Sequence, residues 1–455
     1  MELGSIKKVF FIGIGGIGMS ALARYFVSRG CIVGGYDKTK TKLTETLESE
    51  GMVVSYKDHP KTISADFSVV SDNTLIVYTP AIPKDSLVMD YFRKNGYNMM
   101  KRSEVLGVIS KGQFCIAVAG THGKTTTSSI IAHVLTDTGF GCTAFLGGIA
   151  TNYDSNFLIG DNNVVVIEAD EYDRSFLTLH PDISVITSMD ADHLDIYGDV
   201  DQLVKSFKLF AGQLKSNGTL FIKSGLPIAI GLSYSADDDS ANIKAQNIRI
   251  KGAHFVFDYL DDEHTIKDVT LALPGKHNVE NAVAAISVAL KLGIDIDKIK
   301  TAIANFKGIK RRFEYVVNSE KHTYIDDYAH HPQELSACFD AVRQLYPGKR
   351  LSVIFQPHLF TRTRDFADEF ARVLSTVDEL ILLDIYPARE LPLSGIDSQF
   401  LLDKISLVNK EICTKEVVLE RIKMIKPELL LTVGAGDIDT LIEPLKTLLN
   451  DAKKN

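Results

Sequence analysis

Short apolar segments alternate with amphipathic, helix-like segments along the first hundred residues of the chain. This alternation predicts parallel strands that are joined by crossover helices. The predicted strands are KVFFIGI, CIVGGYD, GMVVSY, FSVV, TLIVYTP and, near the end of the segment, NMMKR. A helix that leads into a second unit is predicted in KRSEVLGVIS.

The same alternation starts twice more along the chain. It restarts at FCIAVAGTHGKTT and continues to an Ala-rich helix in LALPGKHNVENAVAAISVALKLG. Inside this unit, apolar and polar residues alternate in NIRIKGAHFVFDYLDDEHTIKDVTLALPG, which predicts a small antiparallel side sheet. After IANFKGIKRRFEYV the pattern restarts, with strands predicted within HTYIDDYAHHPQEL, RLSVIFQPHL, ELILLDIYPA and LLLTVGAGD. We therefore predict three α/β domains, over residues 1–107, 108–312 and 313–455.

Composition narrows the class of protein. A length of 455 residues suits about three domains. The net charge of -8 argues against a nucleic-acid partner, because such a surface needs a clustered basic excess. Glycines interrupt the first apolar run, and no run reaches the ~20 residues that span a bilayer, so neither a signal peptide nor membrane insertion is expected. Five scattered cysteines without a CxxC pair indicate reduced thiols in a cytoplasmic protein.

A glycine-rich turn follows the first predicted strand and precedes a helix. It reads Gly13-Ile14-Gly15-Gly16-Ile17-Gly18 and fits G-x-G-x-x-G, in which glycines let the backbone approach a diphosphate at a helix N-terminus. Asp37 ends the next strand, at about the distance of a ribose-binding acid in dinucleotide folds. The motif predicts a diphosphate site and leaves NAD, FAD and a UDP-sugar open. Tight strand–helix packing through the glycines is the purely structural alternative.

A second loop, GTHGKTT, lies between a buried strand and a helix. It consists of Gly120, Thr121, His122, Gly123, Lys124, Thr125 and Thr126. It departs from the P-loop pattern because Val118 stands at the first glycine position. The lysine can still neutralise the β- and γ-phosphates, and the threonine hydroxyl can bind Mg²⁺. We therefore predict an ATP and Mg²⁺ site.

A metal at this loop needs a carboxylate from a neighbouring strand end. Glu168 fits that position in NNVVVIEAD, and His193 is a second candidate in the acidic segment SMDADHLDIYGD. A lone histidine in an acidic loop is more often a surface hydrogen-bonding residue, and Mg²⁺ prefers oxygen ligands. Residue chemistry alone therefore favours Glu168.

Two further segments allow two interpretations each. In LPGKHNVENA, Asn278 fits a helix N-cap, while His277 and Asn281 could contact an adenine edge. In IKRRFEY, Arg311 and Arg312 are either solvated linker charges or groups that close onto a γ-phosphate.

Together these motifs resemble the Mur ligase family. The motifs are GIGGIGMSALA, GTHGKTTT, EADEYDRSF, DHLDIYGD, GKHNVENA, RRFEY, DDYAHHP and FQPHLFTRTRDF, and they follow the family's order from residue 13 to residue 366. The resemblance implies an N-terminal Rossmann-like UDP-sugar-binding domain, a central P-loop ATPase-like domain with the side sheet, and a C-terminal Rossmann-like domain. It also implies that ATP activates the lactyl carboxylate of UDP-N-acetylmuramic acid as an acyl phosphate, which the amine of L-alanine then attacks.

The resemblance assigns roles to particular residues. Those implied for the UDP-sugar are Gly13, Gly15, Gly16, Ile17, Gly18, Asp37, Thr79, Pro80 and Ala81. Those implied for ATP are the second loop with His277, Asn281, Arg312 and Asp327, and those implied for the amino acid are Tyr328, His358, Arg362 and Arg364. The catalytic group is Lys124, Glu168, His193 and His330, and the implied metal ligands are Thr125, Glu168 and His193.

Other functions explain fewer of these motifs. A murein tripeptide ligase acts on the same UDP-sugar, but its first loop usually reads GICGT and not GIGGIGMS. A folylpolyglutamate synthase would lack the first loop, and an NAD-dependent oxidoreductase would leave GTHGKTT unexplained. A non-catalytic nucleotide sensor would be expected to have lost Lys124 or the metal ligands.

We expect an enzyme that is a monomer or weak homodimer. Ala329 and the pair Leu359-Phe360 depart from residues common in relatives, which affects mainly the amino-acid contacts.

Overall fold

The computed structural model describes residues 3–190, 194–252, 254–319, 321–388 and 390–451. The chain forms two compact units. The first comprises Met1–Arg249, Val256–Ala272 and Lys276–Lys307, and the second comprises Ile250–Phe255, Leu273–Gly275 and Gly308–Asn455. No helix within the described ranges is both long enough and apolar enough to cross a membrane. The boundaries of the three predicted domains stay a prediction.

The first sheet of the first unit contains five of the six predicted strands, and all five are parallel. They are β1 (Lys8–Ile12), β2 (Ile32–Tyr36), β3 (Val53–Ser55), β4 (Thr74–Tyr78) and β5 (Asn98–Lys101). Their order is β3-β2-β1-β4-β5. The helices of this region are α1 (Ile17–Ser28), α2 (Lys42–Ser49), α3 (Leu87–Lys94) and α4 (Arg102–Gly112).

The predicted strand FSVV is wrong. Ala65–Phe67 is instead a turn of 3-10 helix, and Val69 and Val70 are 74% and 48% exposed. Phe67 is the residue of this run that is buried, with its ring centroid 5.2 Å from that of Phe10. A short turn is enough to bury this one side chain, and the two valines that follow it face solvent.

The second sheet has ten strands. They are β6 (Phe114–Ala119), β7 (Thr143–Ala150), β8 (Ser155–Leu158), β9 (Val164–Glu168), β10 (Ile183–Ile186), β11 (Thr219–Lys223), β12 (Leu232–Ser235), β13 (Ile243–Lys251), β14 (His254–Leu260) and β15 (Thr265–Leu271). Their order is β15-β14-β13-β12-β11-β10-β6-β9-β7-β8, and β6 pairs in parallel with both β9 and β10. The predicted side strands β13, β14 and β15 do form, but they continue this sheet instead of standing apart from it.

Within the described residues, five helices accompany the second sheet. They are α5 (Lys124–Asp137), α6 (Leu194–Tyr197), α7 (Val200–Ala211), α8 (Lys276–Lys291) and α9 (Ile296–Asn305). Helix α5 is buried along most of its length, which explains why its sequence shows no simple amphipathic stripe.

The first two sheets share one hydrophobic core. The ring of Tyr25 on α1 packs against Phe145 and Phe157 from the second sheet. Asn156 on β8 is fully buried and donates to the carbonyl oxygen of Ile17 and, over 3.0 Å, to the hydroxyl of Ser20. Because a buried amide must find hydrogen-bond partners, these contacts fix α1 against the second sheet.

The second unit contains a six-stranded sheet. Its strands are β16 (Glu314–Asn318), β17 (Thr323–Asp327), β18 (Leu351–Phe355), β19 (Glu379–Leu382), β20 (Lys410–Ile412) and β21 (Leu429–Val433). Their order is β16-β17-β21-β18-β19-β20, with only the β16–β17 pair antiparallel among these described strands. Its helices are α10 (Pro332–Leu345), α11 (Phe360–Asp365), α12 (Ala367–Leu374), α13 (Ser398–Lys404), α14 (Lys415–Ile425) and α15 (Ile442–Asp451).

The cysteines are free thiols, as expected. Cys115, Cys142, Cys338 and Cys413 are buried, and Cys31 is half-buried. Burial raises the pKa of the Cys142 thiol to about 12, so this thiol stays protonated and unreactive near neutral pH.

Candidate active site

The second phosphate loop joins the end of β6 to the start of α5. Gly120 and Gly123 have φ angles of +143° and +82°, in the region that favours glycine. A Cβ at Gly120 would collide with the side chain of Thr187, which follows β10. The loop can therefore close only with glycine at this position, and its backbone N–H groups stand at the N-terminus of α5, where phosphates bind.

Lys124 begins α5 and points back into the loop. Its ammonium group donates to the carbonyl oxygen of Gly120 over 2.6 Å and lies 2.7 Å from a carboxylate oxygen of Glu171. The Glu171 side chain is only 1% exposed. Burial acts to lower the pKa of Lys124, but the carboxylates of Glu171 and Glu168 outweigh it and raise the pKa above its ordinary value. Lys124 is therefore a fixed positive charge at neutral pH.

Glu168 lies at the end of β9, where the sequence places a metal-binding carboxylate. One of its oxygens accepts a hydrogen bond from the Thr125 hydroxyl over 3.0 Å, and the other accepts from the backbone N–H of Gly147 over 2.8 Å. A Cβ at Gly147 would overlap with this carboxylate. The pair offers two hard oxygen donors at the loop, a donor set that fits Mg²⁺.

His193 and its role as a metal ligand fall outside the described residues. In the part of the chain that is described, no group of three or more His, Cys, Asp or Glu side chains is placed to hold a metal. A Mg²⁺ bound at a nucleotide loop needs few protein ligands, because phosphates and water supply the others. The donor set of Thr125 and Glu168 is therefore compatible with such an ion.

Residues after β10 support the loop from its other side, and the sequence motifs did not identify them. The Ser188 hydroxyl lies 2.9 Å from the Thr121 hydroxyl and accepts from the backbone N–H of His122 over 2.6 Å. The hydroxyl of Thr187 donates to the carbonyl oxygen of Ala119 over 3.1 Å. Thr and Ser are common after buried strands, so the residue types do not mark these two as part of the site. The sequence could have indicated them only by their position at the end of a strand predicted to lie beside β6.

Asn281 lies beside the second loop, on α8. Its side-chain oxygen accepts from the Thr127 hydroxyl over 3.1 Å, and a Cβ at Gly123 would lie 3.0 Å from it. Asn278 cannot be the N-cap of this helix, because the helix begins at Lys276 and includes it. His277 is exposed at the same helix end. Asn281 is therefore brought to the loop, whereas a contact with adenine stays a prediction for both residues.

The first phosphate loop follows β1. The φ angle of Gly13 is +90°, and the backbone N–H of Gly15 donates to a carboxylate oxygen of Asp37 over 2.8 Å. Thr79, after β4, accepts from the backbone N–H of Ala81 over 3.0 Å. The carboxyl ends of β1, β2 and β4 thus bring the predicted UDP-sugar residues to one edge of the sheet, including Gly16, Ile17 and Pro80.

Gly18 packs directly against an arginine that the motifs did not single out. A Cβ at Gly18 would collide with Nη1 of Arg102, the first residue of α4. Nη2 of Arg102 donates to a carboxylate oxygen of Asp170 over 2.8 Å. An arginine therefore stands at the N-terminus of α1, where the motif predicts a diphosphate.

In the second unit, Asp327 ends β17 and accepts two backbone hydrogen bonds. They come from the N–H groups of Phe313 and Ala329, each over 2.7 Å. Arg312 lies over the ring of Tyr328, 5.3 Å from its centroid. Burial raises the pKa of Asp327 to about 6, although Arg312 and the two N–H groups act to lower it.

Three of the predicted amino-acid and catalytic residues of this unit cluster together. The rings of His330 and His358 are 5.8 Å apart, and Nη1 of Arg362 lies 3.4 Å from Nδ1 of His358. The ring of Tyr386, which the motifs did not include, stacks on His358 at 5.7 Å. Arg364 instead pairs with Asp365 at the surface over 2.7 Å. The structure gives no geometric support to Arg364 as a member of this cluster.

Comparisons with known proteins match this chain over nearly its whole length. Three family models match successive parts of the chain: Mur ligase family, catalytic domain, at residues 8–114; Mur ligase middle domain at 118–289; and Mur ligase, glutamate ligase domain, at 311–438. UDP-N-acetylmuramate–L-alanine ligases from Christiangramia forsetii and Flavobacterium johnsoniae are each 50% identical, over 99% of this chain and 100% of the relative.

Solved structures show the same fold. The UDP-N-acetylmuramate-alanine ligase of Thermotoga maritima is 26% identical with a TM-score of 0.83, covering 98% of this chain and 99% of that chain. A murein peptide ligase from Psychrobacter arcticus has a TM-score of 0.71 over the same shares of the two chains, at 22% identity. The three-domain α/β fold class is confirmed.

We expect Gly147→Ala to weaken Mg²⁺-dependent ATP binding by about 10- to 100-fold, because the added Cβ displaces a carboxylate that we expect to ligate the metal. Titration with ATP in the presence and absence of Mg²⁺ measures the effect. Gly112→Ala is the matched control, since a Cβ there meets no atom within 4 Å. Equal Mg²⁺ dependence in the variant and the wild type would contradict the assignment.

We expect the Asp327 carboxyl to titrate near pH 6. The ordinary aspartate pKa is 3.8, so the folded protein binds this proton more tightly than the unfolded chain does. Its contribution to stability therefore falls as the pH rises from about 4 to 6. Carboxyl ¹³C NMR of aspartate-labelled protein measures the titration, and Asp327→Asn identifies the resonance. A midpoint at or below the ordinary value would show the prediction to be wrong.

Proposed function

The chain belongs to the Mur ligase family, and from this premise we propose that it joins L-alanine to the lactyl carboxylate of UDP-N-acetylmuramic acid with hydrolysis of ATP. The predicted class, an ATP-dependent ligase of peptidoglycan precursor synthesis, is confirmed by relatives of that activity that are 50% identical over the whole chain. The product is UDP-N-acetylmuramoyl-L-alanine, with ADP and phosphate. The free thiols support a cytoplasmic location.

The observation that carries this proposal is the presence of two phosphate loops in one unit with a shared core. The first loop, with Asp37 and Arg102 beside it, suits the diphosphate of a UDP-sugar. The second loop, with Lys124 and Glu168, suits the triphosphate of ATP. A ligase must hold two phosphorylated substrates at once, and this pair of loops provides for both.

The reaction brings anionic groups together, and the second loop counters their charge. Lys124 is held in its charged form, so it can neutralise oxygens of the β- and γ-phosphates. Thr125 and Glu168 would hold a Mg²⁺ ion, which supplies further charge neutralisation at the phosphate oxygens. The backbone N–H groups of the loop orient the phosphates at the start of α5.

The chemistry then proceeds in two transfers. The lactyl carboxylate attacks the γ-phosphorus, and the bond to the β-phosphate oxygen breaks to give an acyl phosphate and ADP. The amine of L-alanine attacks the acyl carbon, loses a proton and expels phosphate. Holding the reacting groups in line contributes up to ~7–11 kcal/mol of the barrier reduction for such steps.

The second unit supplies the groups that we assign to the amino acid. Arg362 and His358 lie side by side and suit its carboxylate, while His330 and Tyr328 are the neighbouring polar groups. We do not include Arg364, because it pairs with Asp365 at the surface.

The alternative of a murein tripeptide ligase has weaker support. Its solved relative is 22% identical, which shows the fold alone, whereas the alanine-adding relatives are 50% identical over the whole chain. A non-catalytic regulator is disfavoured because Lys124, Thr125 and Glu168 are all present and mutually arranged.

Lys124→Ala is expected to lower kcat by at least about 10³-fold and to leave the affinity for UDP-N-acetylmuramic acid, measured without ATP, within about 3-fold, because the lysine lies in the second loop. Phosphate release gives kcat, and calorimetric titration gives the affinity. Lys111→Ala, on the exposed side of α4, is the control. Equal loss of both properties would contradict the assignment of separate sites.

The acceptor is tested by phosphate release with ATP, Mg²⁺ and UDP-N-acetylmuramic acid, with L-alanine, glycine, L-serine or the tripeptide added separately. We expect release that requires both the UDP-sugar and L-alanine. Release with the tripeptide alone would move the protein to the recycling branch of the family. No amine-dependent release would overturn the proposed function.

A further inference from the structure

Arg102 connects the two phosphate loops of the first unit. On one side its Nη1 lies against Gly18, the last glycine of the first loop. On the other side its Nη2 donates to the Asp170 carboxylate over 2.8 Å. Arg102 is 23% exposed, so much of its side chain is held in the protein between these contacts.

Asp170 belongs to a four-residue stretch, Glu168 to Glu171, whose other acidic members contact the second loop. Glu168 accepts from the Thr125 hydroxyl over 3.0 Å. Glu171 lies 2.7 Å from the Lys124 ammonium group. The stretch therefore contacts Lys124 and Thr125 directly, and it contacts the first loop through Arg102.

The backbone of this stretch is tightly held. The carboxylate of Asp170 accepts from the N–H of Tyr172 over 3.0 Å, and its carbonyl oxygen accepts from the N–H of Phe176 over 2.9 Å. The Tyr197 hydroxyl donates to the carbonyl oxygen of Glu171 over 2.6 Å. A displacement of Asp170 is therefore transmitted to Glu171 and not absorbed by a loose loop.

The backbone immediately after this stretch is strained. Asp173 and Arg174 both have positive φ angles, 52° and 55°, although neither is glycine. Two consecutive residues of this kind persist only where the surroundings determine the conformation, and such positions concentrate at functional sites. Helix α4 runs beside the segment, where the Thr178 hydroxyl donates to the carbonyl oxygen of Ser103 over 2.7 Å.

We propose that Arg102 binds the diphosphate of the UDP-sugar and, through Asp170, couples its binding to that of MgATP at the second loop. The proposal rests on the function proposed above. A guanidinium group has five donors in a planar fork, so Arg102 can keep Asp170 while it engages a phosphate oxygen. A diphosphate that fixes Arg102 thereby fixes Asp170, and with it the residues that hold Lys124 and Thr125. By linkage, MgATP strengthens UDP-sugar binding by the same factor.

The test measures this factor directly. Calorimetry gives the Kd of UDP-N-acetylmuramic acid with and without Mg²⁺ and a β,γ-imido ATP analogue, and the ratio of the two values is the coupling factor. We expect about 5- to 50-fold for the wild type, within the usual range for coupled sites. Asp170→Asn should reduce the factor to below about 2, because the ion pair is lost while the shape is kept. Arg102→Lys should do the same, since a lysine lacks the fork.

Lys101→Met is the matched control. Lys101 precedes Arg102 and makes a similar ion pair with Asp173, over 3.4 Å. The three atoms nearest to a Cβ at Gly18 all belong to Arg102 and not to Lys101. We expect it to retain the wild-type coupling factor. Thermal unfolding of each variant shows whether it is folded. The substitutions at Arg102 and Asp170 test the two partners of the ion pair independently.

Three results would overturn the inference. They are a wild-type coupling factor near 1, an unchanged factor in both folded bridge variants, and an equal loss in Lys101→Met. The assay of L-alanine-dependent phosphate release is separate. An active wild type without coupling would contradict only the coupling through Arg102 and Asp170. An inactive wild type would contradict the proposed function.

Discussion

The buried ion pair between Lys124 and Glu171 is the constraint on which the site depends. A carboxylate that is 1% exposed is strongly unfavourable unless a positive charge and hydrogen bonds accompany it. The lysine provides the charge, and it can do so only if the second loop folds back against the end of β9. The same strand end carries Glu168, so the geometry that satisfies Glu171 also places beside Thr125 the carboxylate that we propose as a metal ligand. Folding and phosphate binding thus draw on one arrangement.

The sequence predicted those features that are encoded locally. A glycine pattern between a strand and a helix specifies a turn of a certain shape, and for that reason both phosphate loops and Glu168 lie where they were predicted. The strand predicted in FSVV was wrong because the apolar run does not show that only the ring of Phe67 needs to be buried. The supporting residues Ser188, Gly147 and Arg102 were missed for a different reason. Each acts through a partner far along the chain, and no spacing rule connects such pairs.

In the second unit, too, some features were predicted from local motifs and others were not predicted. Asp327, His330 and His358 were predicted because their motifs resemble those of a family, and the structure does place the two histidines together. Arg364 was expected in the same group, but it forms an ion pair with the adjacent residue, Asp365. Strands β16 and β20 escaped prediction because edge strands of five and three residues carry almost no periodic signal.

The left-handed backbone at Asp173 and Arg174 has a consequence for engineering. Glycine or asparagine tolerates this conformation better, so a selection for heat resistance would be expected to favour such replacements there. Replacement of Asp173 would also remove its ion pair with Lys101, in which both side chains are partly exposed. The net gain in the free energy of unfolding is therefore the gain from the relaxed backbone less the small contribution of that ion pair.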